Sequence, residues 1–274
     1  MTDSFPTIVQ RAIADISEHG FDTESRIEFW LGELRKSAQA YLMSEAEMTE
    51  RLRDALGAIY ARLIDKGQYA RCHQGVGQFT VNKMRPYLRA ELDRRIYASA
   101  NLISLNRDES IKATLRRFQG WATSVPAGGD RDGSRAETAK SVKKSLQQMP
   151  FVERRVIIDQ GHKLTGAINE IIATDGGAIA VIWRSHWREA NYNFRKDHKE
   201  RDGHVYLIRD SWAHKDKLVQ PGPDGYYDEI TAVAQEPFCR CWGVYIYSVR
   251  RLPDDMVTPK GRASLEAAQK AMAQ

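Results

Sequence analysis

Apolar residues recur at three- and four-residue spacing as far as residue 175, and at shorter or continuous spacing beyond it. The first pattern predicts helices and the second strands. Ile8, Val9, Ile13 and Ile16 predict an amphipathic helix over residues 5–20, closed by Gly20. Ile27, Trp30, Leu31 and Leu34 predict a second over 24–38. Ser44-Glu-Ala-Glu47 is a capping box, with a hydroxyl at the N-cap and a carboxylate three residues on. It opens a helix striped by Leu52, Ala55, Leu56, Ile59 and Leu63 and closed at Gly67. Residues 79–105 predict a helix in which Pro86 is either a first-turn residue or a kink. Asp108 then caps a separate helix carrying Ile111, Leu115 and Phe118, with Trp121 near its end. Val125–Ser134, with three glycines and a proline, predicts a loop or linker, and 135–148 a short lysine-bearing helix. Pro150 starts a long helix bearing Val152, Val156, Ile157, Leu164, Ile168, Ile171 and Ile172, ended by Asp175-Gly-Gly177.

Beyond it, Ala178–Arg184 is short and apolar on both faces, as a central strand would be. Val205–Arg209 and Trp242–Val249 predict two more strands, separated by the turn-rich Gln220–Gly225. Gly261 precedes a short C-terminal helix. The expected fold class is α+β: a mostly helical N-terminal region, then a long helix packed on a short, mainly antiparallel sheet. The expected divisions are a helical region at 1–124, a linker and short helix at 125–149, an α+β domain at 150–253 and a tail at 254–274.

Composition narrows this only in places. In 274 residues with 42% hydrophobic content there is enough apolar material for a packed core. A net charge of +5 permits an acidic or nucleic-acid partner without requiring one. Arg85, Arg89, Arg94 and Arg95 form a basic side on their helix. That side is either a DNA-facing ridge or a solvated face balanced by Glu91 and Asp93. Three cysteines make no disulfide framework and suggest a reducing compartment. The longest apolar run, Ala178–Trp183, is far short of the ~20 residues that span a bilayer. The start of the chain lacks a signal-peptide pattern, so the expectation is a soluble protein made in a cytoplasm. Gly128-Gly129 lacks the preceding strand and the Gly-Lys-Ser/Thr ending of a P-loop.

The candidate chemistry lies between 186 and 241, which holds two of the three cysteines and His186, His198, His204 and His214. In an extended strand Cys239 and Cys241 would point to one side and Arg240 away. Parallel thiols close a disulfide poorly but suit a soft metal. With His198, in a polar turn, and His204, they make a tetrahedral zinc set, and four protein ligands would leave no position for a substrate water. Core thiols and hydrogen-bonded histidines are the other reading. Asp197-His198 and Asp202/His204 also allow acid–base or metal-dependent nuclease chemistry, although no nucleophile elbow or compact carboxylate cluster accompanies them. Cys72-His73, in a glycine-bearing loop, has no sequence-near ligand partners.

Taken together, Trp183, Arg195-Lys-Asp-His198, Asp202-Gly203 and Pro237-Phe-Cys239-Arg240-Cys241 follow a long helix in a fixed order. Over about 151–253 the chain thus resembles the Mu F-like, or phage head morphogenesis, domain of tailed bacteriophages. It departs from that pattern in the longer aromatic segment Trp187–Phe194 before the histidine. The resemblance implies a non-enzymatic minor head protein of the virion, made in the host cytoplasm. Its partners would be the portal or other capsid proteins in a multimeric assembly, close to packaged DNA, with a role in genome packaging or delivery. A head–tail connector or decoration subunit, and a metal-dependent nucleic-acid-processing enzyme, are the alternatives.

Overall fold

The structure, a computed structural model, describes residues 3–20, 24–125 and 132–273. It is α+β. Its helices are α1 (Phe5–His19), α2 (Glu24–Tyr41), α3 (Glu45–Tyr60), α4 (Gln78–Ala122), α5 (Asp132–Gln147), α6 (Met149–Asp175), α7 (Lys196–Glu200), α8 (Trp212–Lys215) and α9 (Pro259–Met272). The strands are β1 (Ala180–Arg184), β2 (Val205–Leu207) and β3 (Trp242–Ile246). The expected loop at 125–134 falls largely on 126–131, outside the described residues, and α5 already begins at Asp132.

The chain divides into two compact units: Met1–Arg53 with Tyr97–Ile157, and Asp54–Ile96 with Ile158–Gln274. The boundaries therefore fall inside α3, α4 and α6; the last, after Ile157, lies close to the expected 150, and the first two put residues 54–96 with the second unit. The reason is packing of residues 54–96 within the second unit. Ile59 approaches Gly161 so closely that a β-carbon there would stand 2.6 Å from its Cδ1. The amide of Tyr245 donates to the carbonyl of Cys72 at 2.8 Å.

Among the described residues the regular elements of the first unit are helices. Its core joins Ile8, Val9, Ile13 and Ile16 of α1 to Trp30 and Leu34 of α2, Leu115 and Phe118 of α4, and Val142 and Leu146 of α5. The expected helix starts hold where caps exist. Ser4 accepts from the Thr7 amide, and Ser44 and Glu47 exchange both bonds of a capping box. Gly20 and Gly67 end their segments in positive-φ conformations.

α4 corrects the two-helix expectation for 79–122. Its buried positions Val81, Met84, Leu88, Leu92, Ile96, Ser99, Ile103, Arg107, Ile111, Leu115, Phe118 and Ala122 continue at helical spacing past both Pro86 and Asp108. Burial along this unbroken stripe outweighs one missing amide and one local cap. Arg107 holds the stripe together where it turns polar, donating to Glu153 and to the Met43 carbonyl, each at 2.7 Å.

In the second unit the sheet runs β2-β1-β3, antiparallel throughout. Val181 faces Tyr206 and Tyr245, and Trp183 faces Gly243. Alternation along β1 splits the interior into two cores. Ala180 lies with Leu207, Ile246, Val219 and Met256. Val181 and Trp183 lie with Ala173 of α6, Tyr206, Tyr245, Cys239 and Cys241. β2 and β3 are shorter than expected, and a 3-10 turn, Val249–Arg251, follows β3. Gly261 stands inside the first turn of α9, capped by Thr258, rather than before it.

Candidate metal centre

Cys239 and Cys241 are not in a strand: they lie in the irregular segment that leads into β3. A tight turn does what strand geometry was expected to do. The Cys239 amide donates to the Glu236 carbonyl at 3.1 Å, and Phe238 between them sits at φ 60°. A left-handed phenylalanine costs about 1–2 kcal/mol. Buried Asp159 of α6 holds it there by accepting the Phe238 amide at 2.6 Å. Tyr192 accepts from the Arg240 amide at 3.2 Å and donates to the Phe238 carbonyl at 3.3 Å. Arg195 donates to the Pro237 carbonyl at 3.0 Å. The aromatic segment Trp187–Phe194 thus supplies, through Tyr192, a clamp on the cysteine turn.

His198 does not occupy an open polar turn. It projects from α7, is 2% exposed, and rests its ring against Trp183 at 5.2 Å between centroids. Its Nδ1 is 3.5 Å from Cys241 Sγ and 3.6 Å from Cys239 Sγ. The Ser185 hydroxyl lies 3.8 Å from Cys241 Sγ. Asp202 fixes the segment after β1 by accepting from the Ser185 amide, Trp187 Nε1 and Arg188 at 2.9–3.0 Å. Gly203, at φ 92°, then lets its amide reach the Trp183 carbonyl at 2.9 Å and turns the chain into β2. The Arg240 guanidinium lies 5.3 Å from the Tyr192 ring.

Among the described residues His198, Cys239 and Cys241 form a buried group whose donor atoms all lie within 4.8 Å of one another. These three could hold a metal. Bonds of about 2.3 Å to sulfur and about 2.0 Å to nitrogen, at tetrahedral angles, place sulfur and nitrogen about 3.5 Å apart. The observed spacings match. His198 Nε2 is buried without a hydrogen-bond partner, as a ring nitrogen is when its orienting acceptor has not closed on it. The hydrogen bond from Cys241 holds Cys239 below the usual thiol range, helped by the amides of Cys241 and Ala234 and by His198. The same pairing, with burial, pushes Cys241 up.

His204 does not belong to this set. Its carbonyl is committed to the Trp183 amide at 3.0 Å, and its half-exposed ring turns to Asp224, 2.6 Å away. Asp224 also accepts the Val205 amide at 3.1 Å. Of the four expected ligands, the structure brings three together.

Of the two readings of the arginine side, the ion pairs follow the balanced face, with Glu91 and Asp93 as partners. Arg85 pairs with Asp65 at 2.8 Å, Arg89 with Asp93 at 3.7 Å, and Arg94 and Arg95 both with Glu91 at 2.6 and 2.7 Å. Each guanidinium meets a carboxylate, so this face offers little uncompensated charge to phosphates.

Cys72-His73 is a structural staple. Fully buried His73 bonds Tyr247 at 2.6 Å and Asn169 at 3.1 Å and stacks on Tyr245 at 4.9 Å. Burial lowers it to about 4 and raises Cys72.

Sequence reasoning missed Asp159, Tyr192 and Glu236. Asp159 alone left a trace, as a carboxylate four residues before Lys163, with which it pairs at 3.0 Å. Among the described residues no helix is long and apolar enough to cross a membrane. Compared with protein-family models, curated proteins and solved structures, the chain matches none of them.

Proposed function

We propose that this chain is a non-enzymatic structural protein of a tailed-phage head, in which zinc held by His198, Cys239 and Cys241 clasps the α+β unit. The observation that carries the clasp is the meeting of an imidazole and two thiols, all at most 4% exposed, at metal-ligand spacing. A site so enclosed suits folding energy better than turnover. The phage assignment rests on the ordered motif from Trp183 to Cys241, and with it come the portal or another capsid protein as partner and the virion as location.

Metal analysis of the purified protein tests the clasp: one zinc per chain is expected, and its removal should loosen the fold. Mass spectrometry of purified virions tests the setting. A few copies per particle are expected, whereas many symmetric copies would indicate a connector or decoration subunit.

One observation favours a metal-dependent nucleic-acid-processing enzyme instead: three protein ligands leave a fourth position for water. Nuclease activity lost on chelation while the fold survives would decide for that reading.

A further inference from the structure

We infer that Glu236 is the positioning carboxylate of the metal centre, held by Arg195 and directed at the far nitrogen of His198. The inference rests on the metal reading above and concerns how the histidine ligand is set. With Nδ1 turned to the two sulfurs, the proton of a neutral imidazole belongs on Nε2. That nitrogen is buried and has no hydrogen-bond partner. Two carboxylates face it: Glu236 Oε1 at 3.6 Å and Asp197 Oδ2 at 3.9 Å.

They differ in how they are held. Glu236 is the less exposed, 28% against 49%, and its other oxygen is fixed by Arg195 Nε at 2.6 Å. Asp197 is drawn instead to Arg201 at 2.9 Å. Arg195 also donates to the Pro237 carbonyl, and the Glu236 carbonyl accepts the Cys239 amide. One arginine therefore sets both the carboxylate behind the histidine and the turn that carries the thiols. A carboxylate on the second nitrogen fixes the tautomer and ring orientation and makes the first a stronger ligand. Closing the remaining few tenths of an ångström needs only side-chain rotation. This gives Arg195, otherwise a surface cation at the head of α7, a reason to stand three residues before His198.

The test is zinc affinity of the full chain, read by competition with a chromophoric chelator, beside thermal melting of the metal-free protein. Glu236→Gln is expected to bind zinc about 10–100-fold more weakly. Its metal-free melting should be unchanged, and Asp197→Asn should bind as the parent does. Arg195→Met, which unties both the carboxylate and the Pro237 carbonyl, should also weaken zinc, and its unaltered affinity would overturn the inference if Glu236→Gln folds poorly. Unaltered affinity in a folded Glu236→Gln would overturn the inference while leaving the metal centre standing. So would a lowered metal-free melting point with unaltered affinity, or a loss seen in Asp197→Asn alone. A parent protein that binds no zinc would remove the metal reading itself.

Discussion

His73 shows at the scale of one residue how burial converts a side chain into a pH dependence. Its folded value lies near 4 because burial disfavours the imidazolium, whereas the unfolded chain protonates it near its ordinary 6.5. Between those values the unfolded state binds more protons, so stability falls as the pH drops from 6.5 to 4 and is flat above 6.5. The shift corresponds to about 3 kcal/mol. Urea unfolding at a series of pH values should show this slope, and His73→Gln should flatten it. An unchanged slope in the variant would place the titration elsewhere. The sequence displayed this histidine beside a cysteine in a loop. It could not display Asn169 and Tyr247, which come from α6 and from the residue that follows β3.

Whole elements show where local rules yield to packing. Pro86 lies inside α4, where a proline costs about 3 kcal/mol relative to alanine. Pro86→Ala is therefore expected to raise the denaturation midpoint, and a lower midpoint would mean the ring itself packs productively. Close approach works in the opposite sense at Gly166 of α6. A β-carbon there would stand 2.8 Å from the Ala234 Cβ and 3.2 Å from the Val233 carbonyl oxygen. Gly166→Val should thus cost about 1–3 kcal/mol by overpacking. Because 232–235 leads into the cysteine turn, zinc binding should weaken with it, as chelator competition would show. An isolated glycine in a helical stripe signals that something approaches without saying what.

For the whole molecule, the metal-clasp reading predicts that the two units respond differently to chelation. The core around Trp183, Tyr206 and Tyr245 includes both cysteines, while the helical core of Ile13, Leu34, Phe118 and Leu146 contains none of the ligands. Calorimetry with and without chelator should move the transition of the sheet-bearing unit and leave the helical one in place. A trace unaltered by chelation would count against a structural metal. The units also explain why linear boundaries misplace the domains. Residues 54–96 end well before the expected domain start at 150 yet belong with it, tied in by His73 and by the Tyr245–Cys72 backbone bond.

The pattern of apolar positions and of capping residues was sufficient by itself for the α+β class, the capping box at Ser44 and the stops at Gly20 and Gly67. Periodicity and capping act over a few residues, so a linear reading contains them. The residue types at 198, 239 and 241 brought the buried group into view, with His204 wrongly counted in it. Glu91 and Asp93 were likewise legible as partners of Arg89, Arg94 and Arg95, because residues three or four apart on a helix face each other. Only tertiary structure decided that α4 runs on through Pro86 and that His204 turns to Asp224. Those outcomes depend on burial along a whole helix and on a partner in another loop, which no local pattern records.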